Sequence, residues 1–233
     1  MSLPYFYLAQ YEGGDDLQLD EPTSRHMVSV LRMEQGEQLN LTDGKGHLLR
    51  CTLTDAHKKK ATVRVVEKRF EPAKTETVAI GISLVKNASR LEWFLEKATE
   101  IGLSEIFPLI CHRTEKQHFR FDRMQQILVS AMLQSQQVWL PVLHEPLAFS
   151  NLVKEEGFAH KWIAHCLETD RRSLRKQEPA GGRQVLLIGP EGDFTQEEIE
   201  LAISNGYVPV TLGDTRLRTE TAGLVGATLL CIS

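Results

Sequence analysis

Two stretches near the C-terminal end of the chain carry residue types that could hold a ligand by its polar edges. The first is Val185-Leu186-Leu187-Ile188-Gly189-Pro190-Glu191-Gly192-Asp193-Phe194. The second runs from Val210 through Leu212-Gly213 to Leu217-Arg218-Thr219-Glu220-Thr221-Ala222. Glycine lets backbone approach a bound group without a Cβ clash, or adopt positive φ, and Pro190 stiffens the first loop. Exposed N–H and C=O groups in such loops can read an adenine edge. A helix beginning at Thr219 would add N–H groups that its own turns leave unpaired. Tight turns in an ordinary sheet would explain either loop alone. Their occurrence as a pair puts a ligand on equal terms with that explanation.

Each stretch reads as a short apolar strand, a glycine turn and a helix start. Two such units in succession imply two neighbouring parallel strands whose loops open at one sheet edge, where open α/β sheets bind ligands. Thr195 with Glu198 three residues on is a capping box, and Phe194 with Ile199 a hydrophobic staple. Gly223 and Gly226 lie inside the last helix, where each costs about 1 kcal/mol against alanine. The compensation expected is close approach of another backbone.

The alternation extends back to residue 78. Val78–Val85 reads as a strand. Arg90–Ile101 reads as a helix with Leu91, Phe94, Leu95, Ala98 and Ile101 on its apolar stripe, stopped by Gly102. Glu105–Ile110 is a strand, His112–Lys116 a loop and 122–137 a helix. Residues 147–153 suit a short helix, 161–166 and 208–212 suit strands, and a helix from Thr219 reaches the end. Strand–helix alternation predicts an α/β domain with a parallel sheet. Neither GxGxxG nor GxxxxGK[ST] occurs, so a ligand would be held by other means.

The first 72 residues follow a different pattern. Pro4–Ala9, Gln38–Thr42, His47–Leu53 and Lys60–Glu67 read as strands, with Asp43-Gly44-Lys45-Gly46 a turn. Thr23 is placed to cap a short helix carrying Met27, Val30 and Leu31 on one face, with Arg25, His26 and Arg32 on the rest. Between Lys45 and Arg69 stand eight Lys or Arg against two acids. Such a patch suits phosphate binding, while Lys58-Lys59-Lys60 could equally block edge-to-edge strand pairing. Pro72 cannot continue a ladder and marks the boundary between two domains.

Composition sets the outer limits. The 233 residues are 42% hydrophobic and 25% charged with a net charge of -4, ordinary for a soluble globular protein and against a wholesale polyanion binder. The cysteines, Cys51, Cys111, Cys166 and Cys231, are too far apart for zinc-ligand spacing, and no HExxH occurs, so no metal is expected. No signal-peptide pattern and no run of about 18 apolar residues is present, so no membrane is expected and the protein is read as cytoplasmic.

The two loop motifs, together with His26…Val30-Leu31-Arg32, Asp43-Gly44…Gly46, Lys86…Arg90-Leu91-Glu92-Trp93…Glu96-Lys97-Ala98-Thr99-Glu100-Ile101-Gly102 and Arg113-Thr114, resemble the RsmE family. These are SPOUT-class ribosomal RNA small-subunit methyltransferases acting on uridine N3. The resemblance implies a PUA-like RNA-binding β-barrel over residues 1–72. It implies a trefoil-knotted α/β domain over 73–233 that binds S-adenosyl-L-methionine, and a homodimer acting on 16S rRNA within the 30S subunit. It places the cofactor on Leu167, Leu187, Ile188, Gly189, Pro190, Glu191, Gly192, Leu212, Gly213, Leu217, Arg218, Thr219 and Ala222. It places RNA on Arg25, His26, Arg32, Lys58, Lys59, Lys60, Lys86 and Arg90. Two departures stand out: the family often has glycine at Asp193, and Leu133-Gln134-Ser135-Gln136-Gln137 replaces Glu-Gln-Ser followed by a basic residue.

Methylating uridine N3 requires removal of its proton, because the lone pair is otherwise unavailable. The enzyme must supply a base or stabilise the anion. An arginine fork suits a developing oxyanion at O2 or O4, which makes Arg113 and Arg218 catalytic candidates, with Glu191 as base or as orienter of an arginine. N3 lies on the Watson–Crick edge, so the target must be unpaired or flipped out. The alternatives are another RNA base or a ribose as target, a ribosome-associated RNA-binding protein without catalysis, and a small-molecule α/β enzyme.

Overall fold

The structure, a computed structural model, describes residues 3–115, 117–167, 171–176 and 181–232. Lys116 of the expected loop and the last residue of the expected final helix lie outside the described residues. The chain forms two compact units, Met1–Ala73 with Met132–Leu140, and Lys74–Ala131 with Pro141–Ser233.

In the first unit β1 (Tyr5–Tyr7), β2 (Asp16–Gln18), β3 (Gln38–Thr42), β4 (His47–Asp55) and β5 (Thr62–Phe70) form a curled sheet of order β1-β3-β4-β5-β2. β1 pairs parallel with β3, and the other pairs are antiparallel. Alternation puts Leu49, Cys51 and Leu53 of β4 and Val63 and Val65 of β5 inside, against Phe6, Met27, Leu39 and Leu41. α1 (Glu21–Arg25) is capped by Asp20, whose side chain accepts from the Thr23 N–H at 2.8 Å, and Pro22 sits in its first turn. The cap therefore lies three residues before the expected Thr23. A π-helical turn follows at His26–Val30, in which Leu31 N–H donates to His26 C=O at 3.0 Å. Five-residue spacing breaks the 3.6-residue phase. Met27 is fully buried, but Val30 and Leu31 are 66% and 46% exposed rather than sharing its face.

The segment 132–140, expected within the second domain, packs in the first unit. Leu140 N–H donates to Gly44 C=O, Gly46 N–H to Val138 C=O, and Trp139 Nε1 to Glu71 C=O at 3.0 Å. Gly44 and Gly46 have positive φ, and a Cβ on Gly46 would lie 2.8 Å from Trp139. No spacing rule foresees this return of the chain.

The second unit comprises β6 (Thr77–Ser83), α2 (Ala88–Glu100), β7 (Glu105–Ile110), the body of α3 (Phe121–Gln134), β8 (Val142–Leu143), β9 (Leu147–Ala148), α4 (Phe149–Val153), β10 (His160–Ala164), β11 (Arg172–Ser173), β12 (Arg183–Ile188), α5 (Gln196–Ser204), β13 (Val208–Thr211) and α6 (Thr219–Cys231). Its sheet is parallel in order β11-β13-β10-β12-β6-β7-β8, with β9 beside β7. β12 and β13 are therefore not adjacent, because β10 lies between them. Their loops still open at one edge, since Val210, Ala164, Ile188 and Ile82 stand in one register row.

β12 is apolar on both faces because both are covered. Leu187 enters a cluster with Phe149, Phe158, Phe194 and Ile199. Leu186 lies on the face covered by α6, where a Cβ on Gly226 would collide with its side chain, and a Cβ on Gly223 would sit 2.8 Å from Phe94 and 2.9 Å from Ile82. The compensation for two helix glycines is thus close packing on side chains of α2, β6 and β12, not on a second backbone. No helix of the described residues is long and apolar enough to cross a membrane.

Candidate active site at the C-terminal edge of the parallel sheet

A cleft of about 800 Å³, its open mouth included, lies where the strand order reverses, around the ends of β12, β10 and β13. Its apolar lining comes from Ala164, Ile188, Val210, Leu212, Leu217 and Ala222. Its polar lining comes from His165, Arg171, Glu191, Asp193, Thr211, Thr215, Arg216, Arg218 and Thr219.

The β12–α5 loop is anchored from several sides. Asp193 holds a left-handed φ of 65°, a region that favours glycine. Its Oδ2 accepts the Cys166 N–H at 2.8 Å and its Oδ1 accepts the Phe194 N–H at 2.9 Å, tying the loop to the end of β10. Arg113 donates to the carbonyls of Gly192 at 2.6 Å and Phe194 at 3.4 Å. Thr219 Oγ1 donates to the Gly189 carbonyl at 3.0 Å in a buried contact, which fixes the start of α6 against the same loop. The Thr195–Glu198 capping box forms, and Glu198 also accepts the His112 N–H at 2.8 Å, so the α5 cap anchors the β7–α3 loop.

Of the three catalytic candidates, Glu191 and Arg218 line the cleft. Glu191 pairs with Arg90 at 3.1 Å, and Arg90 Nε lies 3.7 Å from Oε1 of the buried Glu220. Arg218 is exposed at the N-cap position of α6, where its side chain makes no capping bond, and it has no ion pair among the described residues. Arg113 does not line the cleft; its guanidinium is taken up by loop carbonyls.

Ile188, Gly189, Pro190, Leu212, Leu217, Thr219 and Ala222 also line the cleft, whereas Leu167, Leu187, Gly192 and Gly213 do not. Leu187 points to the opposite face of β12, and Gly192 packs against Arg113, 3.4 Å from where its Cβ would be. Gly213 has φ of 147° and open space around it. Lys86 pairs with Glu115 at 2.8 Å, which raises its pKa, and Arg90 is committed to two glutamates. In the first unit Arg25, His26, Arg32 and Lys58–Lys60 are all exposed. Lys59 meets Glu21 at 3.6 Å, which brings the lysine turn beside α1.

Sequence reasoning missed His165, Cys166, Arg171, Asp193, Thr215 and Arg216 as cleft residues. His165 is 4% exposed, and neither ring nitrogen has a hydrogen-bond partner. Burial lowers its pKa, Asp193 opposes that shift and Arg171 adds to it. Burial first, then Asp193, raises the Cys166 thiol. The signal available was position: β10 is apolar and ends at the sheet edge. The chemistry present is an apolar slot beside polar edges and three arginines, Arg171, Arg216 and Arg218, without carboxylate partners among the described residues. That donor set fits an adenosine-type cofactor with an anionic tail. Among the described residues no group of three or more His, Cys, Asp or Glu could hold a metal ion.

Residues 71–231 match the family model of the RNA methyltransferase domain, and residues 19–66 match that of the RNA methyltransferase PUA domain. The ribosomal RNA small subunit methyltransferase E of Synechocystis is 31% identical over 207 residues, covering 86% of this chain and 67% of that protein. A probable rRNA methyltransferase from Porphyromonas gingivalis has the same fold, with a TM-score of 0.91, 34% identity and 99% of each chain covered. Ribosomal RNA small subunit methyltransferase E from Neisseria gonorrhoeae, in a structure bound to S-adenosyl methionine, gives a TM-score of 0.88 at 28% identity, with 97% of this chain and 96% of that one covered. With a PUA domain ahead of a parallel-sheet domain of SPOUT type, the chain belongs to the ribosomal RNA small subunit methyltransferase E family of RNA methyltransferases.

Proposed function

We propose that the chain methylates N3 of a uridine in 16S rRNA of the small ribosomal subunit, with S-adenosyl-L-methionine as methyl donor. The observation that carries the reading is the cleft itself: an apolar slot between anchored and exposed loops, with Arg218 at its rim free of any carboxylate partner among the described residues. Similarity to small-subunit ribosomal RNA methyltransferases, one of them bound to S-adenosyl methionine, supports the cofactor class and the RNA class. Bound there, the cofactor supplies an electrophilic methyl group on a sulfonium sulfur.

The chain's own residues do the rest. For N3 to take that methyl group, the chain must accept the N3 proton and stabilise the charge left on the uracil oxygens. Arg218 offers two N–H groups to the uracil oxygen on which negative charge develops. Glu191, held by Arg90, is placed to accept the N3 proton directly or through one water. Arg113 serves as the support of the loop that carries Glu191, which moves it from catalysis to positioning. Ile188, Leu212 and Leu217 wall the adenosine. Arg25, His26, Arg32 and Lys58–Lys60 hold RNA phosphates as point charges on the PUA unit, and Lys86 contacts RNA close to the target. The PUA-like domain takes residues 1–72 together with the returning segment 132–140, the rest of 73–233 forms the second domain with a trefoil knot, and the active form is a homodimer in the cytoplasm on the 30S subunit.

The test is transfer of labelled methyl from S-adenosylmethionine to 30S subunits lacking the modification, with nucleoside analysis. N3-methyluridine in 16S rRNA is expected. Label in another nucleoside would keep the methyltransferase and discard the target. RNA binding with neither label transfer nor cofactor binding would favour a non-catalytic RNA-binding protein.

A further inference from the structure

Among the described residues, three buried side-chain atoms lack any hydrogen-bond partner: both ring nitrogens of His165 and Oε2 of Glu220. Glu220 is partly compensated, since its other oxygen faces Arg90 at 3.7 Å. His165 is not compensated. Buried polar groups in native proteins are nearly always satisfied, and a wholly unsatisfied imidazole needs a reason. It follows directly on Ala164 at the end of the central strand β10, and it lines the cleft.

Two charged groups face it: Asp193 from the β12–α5 loop, and Arg171, whose guanidinium donates to the His165 backbone carbonyl at 2.6 Å. Burial and Arg171 outweigh Asp193 and keep the ring neutral. A neutral imidazole carries one donor and one acceptor. Its natural complement is a group that both donates and accepts, such as a ribose hydroxyl or an adenine edge, rather than a carboxylate or an ammonium. The surrounding surface agrees: Ala164 stands in the row with Val210 and Ile188, an apolar floor for a base. The group suited to a carboxylate tail is Arg216.

We propose that His165 is a binding residue of the cleft and reads the nucleoside half of the cofactor. This rests on the cofactor reading above. The test is titration calorimetry on the full chain with three ligands: S-adenosylmethionine, S-adenosylhomocysteine and 5′-methylthioadenosine, which lacks the amino-acid end. His165→Leu should weaken all three by a similar factor, about tenfold for one lost polar contact. His165→Gln, which keeps a donor and an acceptor, should recover most of that loss. Histidine-labelled wild-type protein should show the His165 ring-nitrogen resonances moving on addition of each ligand, a readout that does not depend on how the leucine variant folds. Wild-type affinity in His165→Leu, a loss confined to the two ligands with the amino-acid end, or stationary ring resonances on saturation would each overturn the assignment. Failure of the wild-type chain to bind any of the three would overturn the cofactor reading itself, and this inference with it.

Discussion

The two glycine loops that frame the cleft look alike in sequence and are built differently. The β12–α5 loop, 189–194, is held by three side chains from elsewhere, Thr219 on the Gly189 carbonyl, Arg113 on the Gly192 carbonyl and Arg90 on the Glu191 carboxylate, and by its own Asp193, which accepts the Cys166 N–H. The β13–α6 loop, 212–218, is tied locally through Thr211, whose Oγ1 donates to the Gly213 carbonyl at 2.9 Å and accepts the Gly213 N–H at 3.4 Å, and Gly213 through Arg216 are exposed. One loop is preorganised, and its functional groups already have protein partners. The other presents arginines that have none among the described residues. Catalysis needs both: a fixed frame that places a base, and free charge that can meet an anion as it forms.

The contrast can be broken most severely at Arg218. Arg218→Ala should lower turnover by about 10²–10³ while leaving cofactor affinity within a few-fold, because the unpaired guanidinium serves the developing anion rather than the adenosine. Steady-state kinetics beside calorimetry checks it, and unchanged turnover would remove Arg218 from the mechanism. The join between the loops comes next. Thr219→Val removes a buried hydrogen bond and leaves the Gly189 carbonyl unpaired, which should cost about 1–3 kcal/mol, read as a lower Tm with cofactor affinity falling in parallel.

Asp193 offers a finer comparison within the anchored loop. Asp193→Ala keeps a side chain at positive φ and loses the bond to the Cys166 N–H. Asp193→Gly loses the same bond but relieves the backbone, so glycine should be the more stable variant by about 1 kcal/mol. Equal melting temperatures would deny that backbone strain matters there.

The smallest effect expected is in pH. The folded-state pKa of His165 lies below its ordinary value, so the unfolded chain takes up the proton first as pH falls. The stability tied to the neutral ring is complete above the ordinary histidine range and is lost as pH drops through that range toward the folded-state value. Tm measured from pH 8 downward should therefore fall less in His165→Gln than in the wild type.

What could be read from residues alone was what local chemistry writes. Gly-Pro-Glu-Gly, the capping box at Thr195 and the apolar run of β12 each leave a mark within a few positions, and the structure has them where the pattern placed them. What escaped depends on contacts distant in the chain. His165 and Cys166 became cleft residues because β10 inserts between β12 and β13, a fact of strand order with no glycine or proline to announce it. Residues 132–140 joined the first unit through backbone bonds to Gly44 and Gly46 that no periodicity encodes. Val30 and Leu31 turned outward because a π turn shifted the helical phase by one residue. Leu187, which the family resemblance implies for the cofactor site, packs with Phe149, Phe158 and Phe194, because neighbours on a strand face opposite sides.

Hydrogen–deuterium exchange with and without S-adenosylmethionine compares the loops directly. Residues 212–218 should gain protection of about tenfold or more, while 189–194, already anchored, should change little. Equal protection of both loops, or larger protection of 189–194, would contradict a division into a fixed frame and a responsive charge-bearing loop.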